Sequence, residues 1–307
     1  MSPSRINTRN GSPASPTDVS RGVFGATFGT DRLLRLWEKY NIKTTWFVPA
    51  HTAVSFPDAV RRVRDSGHEI ALHGWTHEYV TTLSEDQQRE VLRESIKVIT
   101  EVAGRRPKGW TAPGFEASRQ TVQLLEEFGL EYDHSFMYHD SQPYWLPYVP
   151  TWKETSMASR GDGDRGTPAA TPADWMVGMS ALQPSSVVEI PANWHLDDWP
   201  PFQLNLKQAS THGFVDPSVV ERLWKDQFDF YYREYDQFIF PISIHPQVSG
   251  KAQVILMHER LIDYINAHAG VEWCTFEEMA REFREGTLPG VTITGGLNPP
   301  YSFGADP

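Results

Sequence analysis

Glu69-Ile70-Ala71-Leu72-His73-Gly74-Trp75-Thr76-His77-Glu78 is the most informative segment of the chain. Its apolar run at residues 70–72 ends in two histidines four residues apart. A strand with this ending delivers two imidazoles to one point at its C-terminal end, where a divalent metal ion can bind both. We interpret the segment as a buried strand followed by a metal-binding loop. The alternative is that His73 and His77 are unrelated polar residues of a loop.

Helical and strand-like segments alternate on both sides of this motif. Amphipathic or capped segments predict helices, and short β-branched or aromatic runs predict strands. The predicted helices span residues 31–40, 56–66, 84–103, 118–128, 217–236, 254–267 and 277–285. The predicted strands span residues 44–48, 69–72, 108–112, 132–136, 187–191, 238–244 and 271–276. This alternation predicts an α/β fold, a distorted (β/α) barrel of about six or seven strands. A doubly wound open sheet is the competing architecture.

Composition and charge narrow the class of protein. The 307 residues carry a net charge of -11, which argues against nucleic acid and membrane surfaces as partners. A single cysteine, Cys274, excludes an intrachain disulfide and fits a cytoplasmic location. We expect one catalytic domain at residues 21–286, between a disordered tail at 1–20 and a flexible tail at 287–307. Residues 141–185, rich in Pro, Gly, Ser and Asp, predict a long loop.

Residues that could take part in catalysis or metal binding follow the predicted strands. In a βα-barrel, the residues that do chemistry come from the C-terminal ends of the strands. Three of five such ends carry a histidine with an acid nearby. Besides the first motif, these ends present Pro113, Phe115, Asp133, His134, Asn193, Trp194, His195, Asp197, Asp198 and His245.

Taken in their order along the chain, the motifs at these strand ends resemble those of the polysaccharide deacetylases of the NodB homology type, carbohydrate esterase family 4. The metal motif of that family is similar to residues 73–77, and the run before it is similar to residues 67–70. Residues 105–115, 132–135 and 243–246 resemble three further motifs. Residues 189–198 are similar to an intracellular subgroup named as peptidoglycan or chitin deacetylases, with allantoinase-like and cyclic-imidase-like relatives. The resemblance covers about residues 17–285.

The resemblance implies a metal-dependent hydrolase of C–N bonds other than peptide bonds. A divalent ion, usually zinc, would be held by His73, His77 and a carboxylate, and would polarise the amide carbonyl and activate a water molecule. A carboxylate would take the proton of this water, and His245 would protonate the leaving nitrogen. The residues that would wall a cleft for a sugar or small-molecule amide are Trp75, Pro113, Phe115 and Trp194, with core packing as the alternative for the aromatic rings.

The sequence departs from the family at the carboxylates. Family members place two aspartates on a first strand, one as the base and one as the third metal ligand, and no such strand is recognisable here. Asp31 falls in the first turn of a predicted helix, where an acid favours the helix dipole, and Asp18 has no predicted strand beneath it. An arginine of the third motif is replaced by Thr111. We expect an incomplete N-terminus, a catalytically silent paralogue, or a site completed by another acid.

Three functions therefore follow from the sequence. The first is deacetylation of an N-acetylated sugar or small amide, impaired by the missing aspartate pair. The second is hydrolysis of a cyclic imide or an allantoin-type ureide. The third is a non-catalytic protein that binds a ligand or forms a homo-oligomer. Two roles are open for Asp197 and Asp198. In an enzyme they would orient a catalytic histidine, and otherwise they would lie on a subunit contact.

Overall fold

One sheet of six strands organises the computed structural model, which describes residues 16–149, 180–204 and 213–295. The strand order is β1-β2-β3-β4-β6-β5, with β5 antiparallel to β6 and all other pairs parallel. The strands are β1 (Thr45–Val48), β2 (Glu69–Leu72), β3 (Gly109–Trp110), β4 (Tyr132–Asp133), β5 (Tyr144–Pro147) and β6 (Pro184–Glu189).

Eleven α-helices surround this sheet in the described part of the chain. They are α1 (Pro16–Phe24), α2 (Thr30–Tyr40), α3 (Ala50–Ser55), α4 (Pro57–Asp65), α5 (Glu85–Ala103), α6 (Thr121–Glu127), α7 (Trp199–Phe202), α8 (Pro217–Glu234), α9 (Pro246–Ser249), α10 (Ala252–Asn266) and α11 (Phe276–Glu285). A π-helical turn, Gly25–Gly29, joins α1 to α2. None of the described helices is long and apolar enough to cross a membrane.

Local sequence signals place several of these elements as expected. A capping box between Ser84 and Gln87 begins α5, and Gly104 ends it in the left-handed conformation with φ of 74°. All four residues of β2 are buried, as expected for a central strand covered on both faces. Val48 of β1 lies opposite Leu72 of β2, so both strands end at the same level. The loop after β2 therefore begins at the C-terminal edge of the sheet.

The sheet is open and not closed into a barrel. Of the segment predicted as strand 238–244, only Ser243 pairs, through an isolated parallel bridge to Asp197. Residues 271–275 form no strand. The mixed α/β fold is confirmed, but closure requires strand neighbours that these two segments do not have in the described residues. In contrast, β5 lies within the part of the chain predicted as a loop.

The predicted domain boundaries remain predictions. The boundary at residue 21 falls inside α1, which begins at Pro16. Residues 1–15, 150–179, 205–212 and 296–307 lie outside the described residues, so most of the predicted tails and of the Gly/Asp-rich loop lie there.

Helix α9 packs unusually close to the π-helical turn. A Cβ added to Gly29 would lie 2.2 Å from the carbonyl oxygen of Pro246, and one added to Gly25 would lie 2.9 Å from the backbone nitrogen of Gln247. Side chains larger than hydrogen do not fit at either glycine. This contact fixes the position of residue 246, directly after His245.

A cavity of about 840 Å³ lies beside β1, and we call it the central cavity. Residues 43–49 form one wall, residues 236–247 and 269–274 form the opposite walls, and the π-helical turn contributes Gly25 and Ala26.

Candidate functional site

His73 and His77 lie together at the C-terminal end of β2. Their ring centroids are 4.7 Å apart, and the rings meet edge to face. Nδ1 of His73 is 2.9 Å from the carbonyl oxygen of Thr111, which accepts a hydrogen bond when Nδ1 carries the proton. That tautomer places the ring lone pair on Nε2. His77 is buried with φ of 64°, a left-handed conformation that costs free energy for a residue with a side chain.

The buried carboxylate of Glu78 holds the loop that carries both histidines. Its Oε1 accepts a hydrogen bond from the backbone N–H of Trp75 at 2.8 Å, and its Oε2 accepts from the N–H and the hydroxyl of Thr76 at 2.6 and 2.8 Å. Gly74 adopts φ of 69°, and a Cβ there would lie 2.9 Å from Glu78 Oε1. These contacts offset the strain at His77 and fix the spacing of the two imidazoles.

Replacing Glu78 by Gln should loosen this loop. The amide group can accept fewer of the three hydrogen bonds, and its NH₂ group opposes the backbone N–H donors. Because groups that orient metal ligands typically contribute 10–100-fold to metal affinity, we expect Zn²⁺ to bind about 10–100-fold more weakly. Isothermal titration calorimetry measures this, with exposed Glu90→Gln as the matched control. Unchanged affinity in Glu78→Gln would contradict the role of Glu78.

His245 lines the central cavity, as His73 does, and is held by Asp198. Nδ1 of His245 is 2.7 Å from Asp198 Oδ1, and the backbone N–H of His245 donates to Oδ2 at 2.9 Å. The hydroxyl of Ser249 donates to the same Oδ2 at 2.5 Å. Asp198 is fully buried, so these hydrogen bonds are what stabilises its charge. We call Asp198 and His245 the dyad, and His245 lines the central cavity.

The environment of His245 favours its protonated form. Burial lowers the pKa of His245. The negative charges of Asp198 and Asp197 and the hydrogen bond to Asp198 raise this pKa by more than burial lowers it, so the net shift is upward. Burial raises the pKa of Asp197 to about 7, although the charge of His245 opposes this shift. A histidine with a raised pKa next to a cavity can donate a proton near neutral pH.

Asp197, Asp198 and His245 also form the cluster of metal-ligating groups found in the described residues, with ligand atoms within 4.8 Å of one another. Both oxygens of Asp198 already accept hydrogen bonds, and Oδ1 of Asp197 accepts one from the N–H of Trp199 at 2.6 Å. A cation there would have to displace these donors. The hydrogen bonds therefore favour a proton-donating dyad over a metal centre.

The predicted aromatic wall is partly assembled. Phe115 lines the central cavity, and its ring is 4.8 Å from Trp194 and 5.5 Å from His134, centroid to centroid. Trp194 is 42% exposed. Pro113 is buried close to Gly74 in the histidine loop, and neither Pro113 nor Trp75 lines the cavity. Substrate binding by these residues remains a prediction.

His134 lies at the centre of the site and supports its structure. Its Nδ1 is 2.7 Å from the carbonyl oxygen of Ile190 and its Nε2 is 2.9 Å from the hydroxyl of Ser243. Burial lowers the pKa of His134 to about 4, so the ring is neutral at neutral pH. The ring of His134 therefore orients its neighbours, Ile190 and Ser243.

A buried acid pair, Asp133 and Glu189, underlies the same end of the sheet. Glu189 Oε1 accepts hydrogen bonds from the N–H groups of Ser135 and Phe136, both at 2.8 Å, and Asp133 Oδ1 accepts from the Ser135 hydroxyl at 2.9 Å. Burial raises the pKa of Asp133 to about 6 and raises that of Glu189 as well, the latter also through the charge of Asp133. The pair is therefore more stable when it keeps a proton.

This pair should make the protein less stable as pH rises from about 4 to 6. A carboxyl whose pKa is raised by folding binds more protons folded than unfolded, so stability falls over that window and stays lower above it. Asp133→Asn should remove on the order of 1–3 kcal/mol of this fall. Urea unfolding at pH 4, 5, 6 and 7.5 measures it, with exposed Asp86→Asn as control. Equal pH dependence in both variants would exclude the effect.

Of the two carboxylates considered for the metal, the structure describes the side chain of Asp31 and not that of Asp18. Asp31 sits in the first turn of α2, and its Oδ1 accepts a hydrogen bond from Arg62 at 2.9 Å on the surface. Asp18 lies in α1, and its side chain is outside the described residues. Thr111, where the family has arginine, donates its hydroxyl to the carbonyl of His134. No sequence pattern indicated Glu78, because its role depends on the loop conformation.

The residues at the histidine pair fit a divalent metal only in part. Two adjacent imidazoles suit zinc and similar ions, and the tautomer described above places the lone pair of the His73 ring on Nε2. In the described residues, no acid joins His73 and His77 in a group of three ligands within 4.8 Å. The donor set of the described residues is therefore incomplete.

The fold and the site together define a class of protein. An open β/α sheet that carries paired imidazoles and an Asp-supported histidine around one cavity is the arrangement of a hydrolase built on strand ends. The sequence pattern of the polysaccharide deacetylase family matches residues 23–132. The chain belongs to this family, whose members are metal-dependent in general and hydrolyse C–N bonds other than peptide bonds.

Individual relatives extend the similarity over most of the chain. The peptidoglycan deacetylase of Helicobacter pylori is 39% identical over 273 residues, which cover 89% of each chain. The peptidoglycan deacetylase-like protein FGM2 of Gibberella zeae is 35% identical, over 87% of this chain and 78% of its own. The crystal structure of Puue allantoinase superposes with a TM-score of 0.68 at 26% identity, over 88% of this chain and 77% of its own.

Proposed function

We propose that this protein hydrolyses the acetamide group of an N-acetylated amino sugar, as found in peptidoglycan. The observation that carries the proposal is that His245, held by buried Asp198, faces the same cavity as His73. Relatives named as peptidoglycan deacetylases cover nearly the whole chain, which supports this substrate class over other amides.

In this proposal, each residue has a defined role. Protonated His245 donates its proton to the nitrogen that leaves as the sugar amine, and Asp198 keeps the ring oriented. Phe115, which lines the cavity, and the exposed Trp194 would pack against the sugar ring, since their rings already lie 4.8 Å apart, centroid to centroid. A divalent ion, zinc in our proposal, would polarise the acetamide carbonyl when bound at His73 and His77. We also propose a cytoplasmic location.

A small cyclic ureide or imide is a second candidate substrate. The cavity of about 840 Å³ lies within the roughly 300–1,000 Å³ range of small-molecule sites. An allantoinase is among the structural neighbours. A polymer chain would instead need an open groove that continues beyond the cavity.

Turnover assays with added Zn²⁺ test the proposal. Release of acetate from N-acetylglucosamine oligomers, lost in His245→Gln and retained in His195→Gln, is the expected result. Hydrolysis of allantoin or a cyclic imide without acetate release would favour the second candidate. If Zn²⁺ binds and none of these substrates turns over, the protein is a non-catalytic member of the family, as the incomplete donor set would allow.

A further inference from the structure

A buried histidine on α10, His258, contacts the dyad through Ser249. Its side chain is 3% exposed, and its ring packs against those of Trp37 and Trp224, with centroids 6.5 and 6.0 Å away. Its Nε2 is 2.8 Å from the hydroxyl oxygen of Ser249, the last residue of α9. One buried polar contact therefore links α10 to the residues that hold His245.

The single proton of the Ser249 hydroxyl sets the direction of these hydrogen bonds. This hydroxyl donates to Asp198 Oδ2 at 2.5 Å, and an ionised carboxylate can only accept. The proton of Ser249 is therefore used on Asp198. The contact between Ser249 and His258 is then a hydrogen bond only when Nε2 of His258 donates to the Ser249 oxygen.

The surroundings of His258 agree with a neutral ring that donates from Nε2. Burial lowers the pKa of His258 to about 4, although the charge of Asp198 opposes this shift. The ring is therefore neutral at neutral pH, and a neutral imidazole carries one N–H group. With that proton on Nε2, both contacts of the Ser249 hydroxyl are satisfied.

Hydrogen bonds thus converge on the Asp198 carboxylate from two sides. From one side His258 donates to Ser249 and Ser249 donates to Oδ2, and from the other side His245 donates through its ring and its backbone N–H. A hydroxyl that accepts a hydrogen bond becomes a stronger donor. His258 therefore strengthens the bond that holds Oδ2, which leaves Oδ1 directed at the His245 ring.

We propose that His258 is a positioning residue of the site. As the neutral tautomer with its proton on Nε2, it holds the Ser249 hydroxyl on Asp198 and so keeps the carboxylate in the orientation that supports His245. His258 acts through Ser249 and not on the reacting atoms. Its effect on turnover rests on the proposed function, whereas the chain of hydrogen bonds does not depend on deacetylase activity.

NMR of the full-length protein labelled with ¹⁵N-histidine tests the tautomer. The ring signals of His258 are assigned by their loss in His258→Gln. At neutral pH we expect a protonated Nε2 and an unprotonated Nδ1. A proton on Nδ1 alone, or on both nitrogens, would overturn the proposal. This measurement uses the native protein, so it decides the question even when a variant does not fold.

Two substitutions separate the hydrogen bond of His258 from its packing. Gln offers an N–H group near the position of Nε2, whereas Phe keeps a ring against Trp37 and Trp224 without a donor. The Nδ1 proton of His245 is protected from exchange with water while it is bonded to Asp198. In His258→Phe it should exchange about 10-fold faster, the typical value of one hydrogen bond, and in His258→Gln it should exchange as in the native protein. The reverse order of the two variants would overturn the proposal, because packing alone favours Phe.

Turnover assays test whether His258 acts through Ser249. His258→Phe should lower kcat about 10-fold, and His258→Gln should restore most of it. In a Ser249→Ala background, His258→Phe should have almost no further effect. His258 also lines the central cavity, and a direct contact with the substrate would instead make the two losses add, which would overturn the proposal.

His268→Phe is the matched control, because His268 follows the same helix and its Nδ1 contacts the carbonyl of Tyr264. It should leave kcat and the exchange of the His245 proton unchanged. The two proposals fail separately. If the NMR results hold and no substrate turns over, the hydrogen-bond chain stands and the proposed function is wrong. If acetate is released and His258 carries its proton on Nδ1, the positioning role is wrong and the deacetylase proposal stands.

Discussion

Asp198→Asn should lower kcat for deacetylation by about 10²–10⁴-fold, the usual contribution of a positioned acid. The carboxylate of Asp198 accepts hydrogen bonds from the His245 ring, the His245 backbone and Ser249. Asparagine keeps the shape of this side chain but removes its charge and one acceptor. His245 then loses the electrostatic attraction that raises its pKa, while the burial that lowers this pKa remains.

The pH dependence of kcat should also change in a defined direction. His245 must be protonated to act as the acid, so kcat should fall as pH rises through the raised pKa of His245. In Asp198→Asn this fall should move to lower pH. An NMR titration of the His245 ring, assigned with His245→Gln, measures the same pKa without turnover. An unchanged kcat together with an unchanged His245 pKa would contradict the role of Asp198 in orienting His245 and raising its pKa.

Asp197→Asn is the matched control for this experiment. Asp197 lies beside Asp198, but its Oδ1 is 3.9 Å from Nδ1 of His245 and its pKa is raised to about 7 by burial. Both the longer distance and the raised pKa weaken the effect of Asp197 on His245 compared with that of Asp198. We therefore expect the amide to change kcat at pH 6 much less than Asp198→Asn does. A comparable loss in both variants would indicate that the net charge of the cluster matters and not the orientation of His245.

The sequence predicted the parts of the site that depend on local pattern. The apolar run before His73 predicts β2 because a strand buried on both faces needs apolar residues at successive positions. The capping box at Ser84 predicts the start of α5 for a similar local reason. For Asp198 the sequence left two roles open, and its 2.7 Å contact with His245 matches the orienting role.

Long-range pairing was not predictable in the same way. Residues 238–244 and 271–276 have strand-like patterns, yet a strand forms only when a neighbour offers a complementary edge. In the described residues these segments face the central cavity and gain one bridge, at Ser243. Conversely, Tyr144–Pro147 pairs with β6 although it contains Pro147, because it lies at the outer edge of the sheet, where proline is tolerated.

Replacing His73 and His77 together by Ala should abolish Zn²⁺ binding at the histidine pair. Two imidazoles are the only ligands that the described part of the chain offers at this point, so loss of both leaves no donor there. Each single variant should weaken binding at least 100-fold. For the native pair we expect micromolar affinity, because a complete set of ligands is what gives structural zinc its roughly 10–16 kcal/mol. The affinity for Zn²⁺ should also decrease as the pH is lowered, since protons compete for the same ring nitrogens.

Equilibrium dialysis with metal analysis, followed by calorimetry, measures this loss, and circular dichroism checks folding. Exposed His195 offers the matched control, because its N–H and carbonyl hold the local turn and its ring lies outside the pair. His195→Ala should bind Zn²⁺ as the native protein does. The competing metal centre is the cluster of Asp197, Asp198 and His245. If Asp198→Asn loses the ion and His73→Ala/His77→Ala keeps it, the metal belongs to that cluster and His245 is a ligand instead of a proton donor.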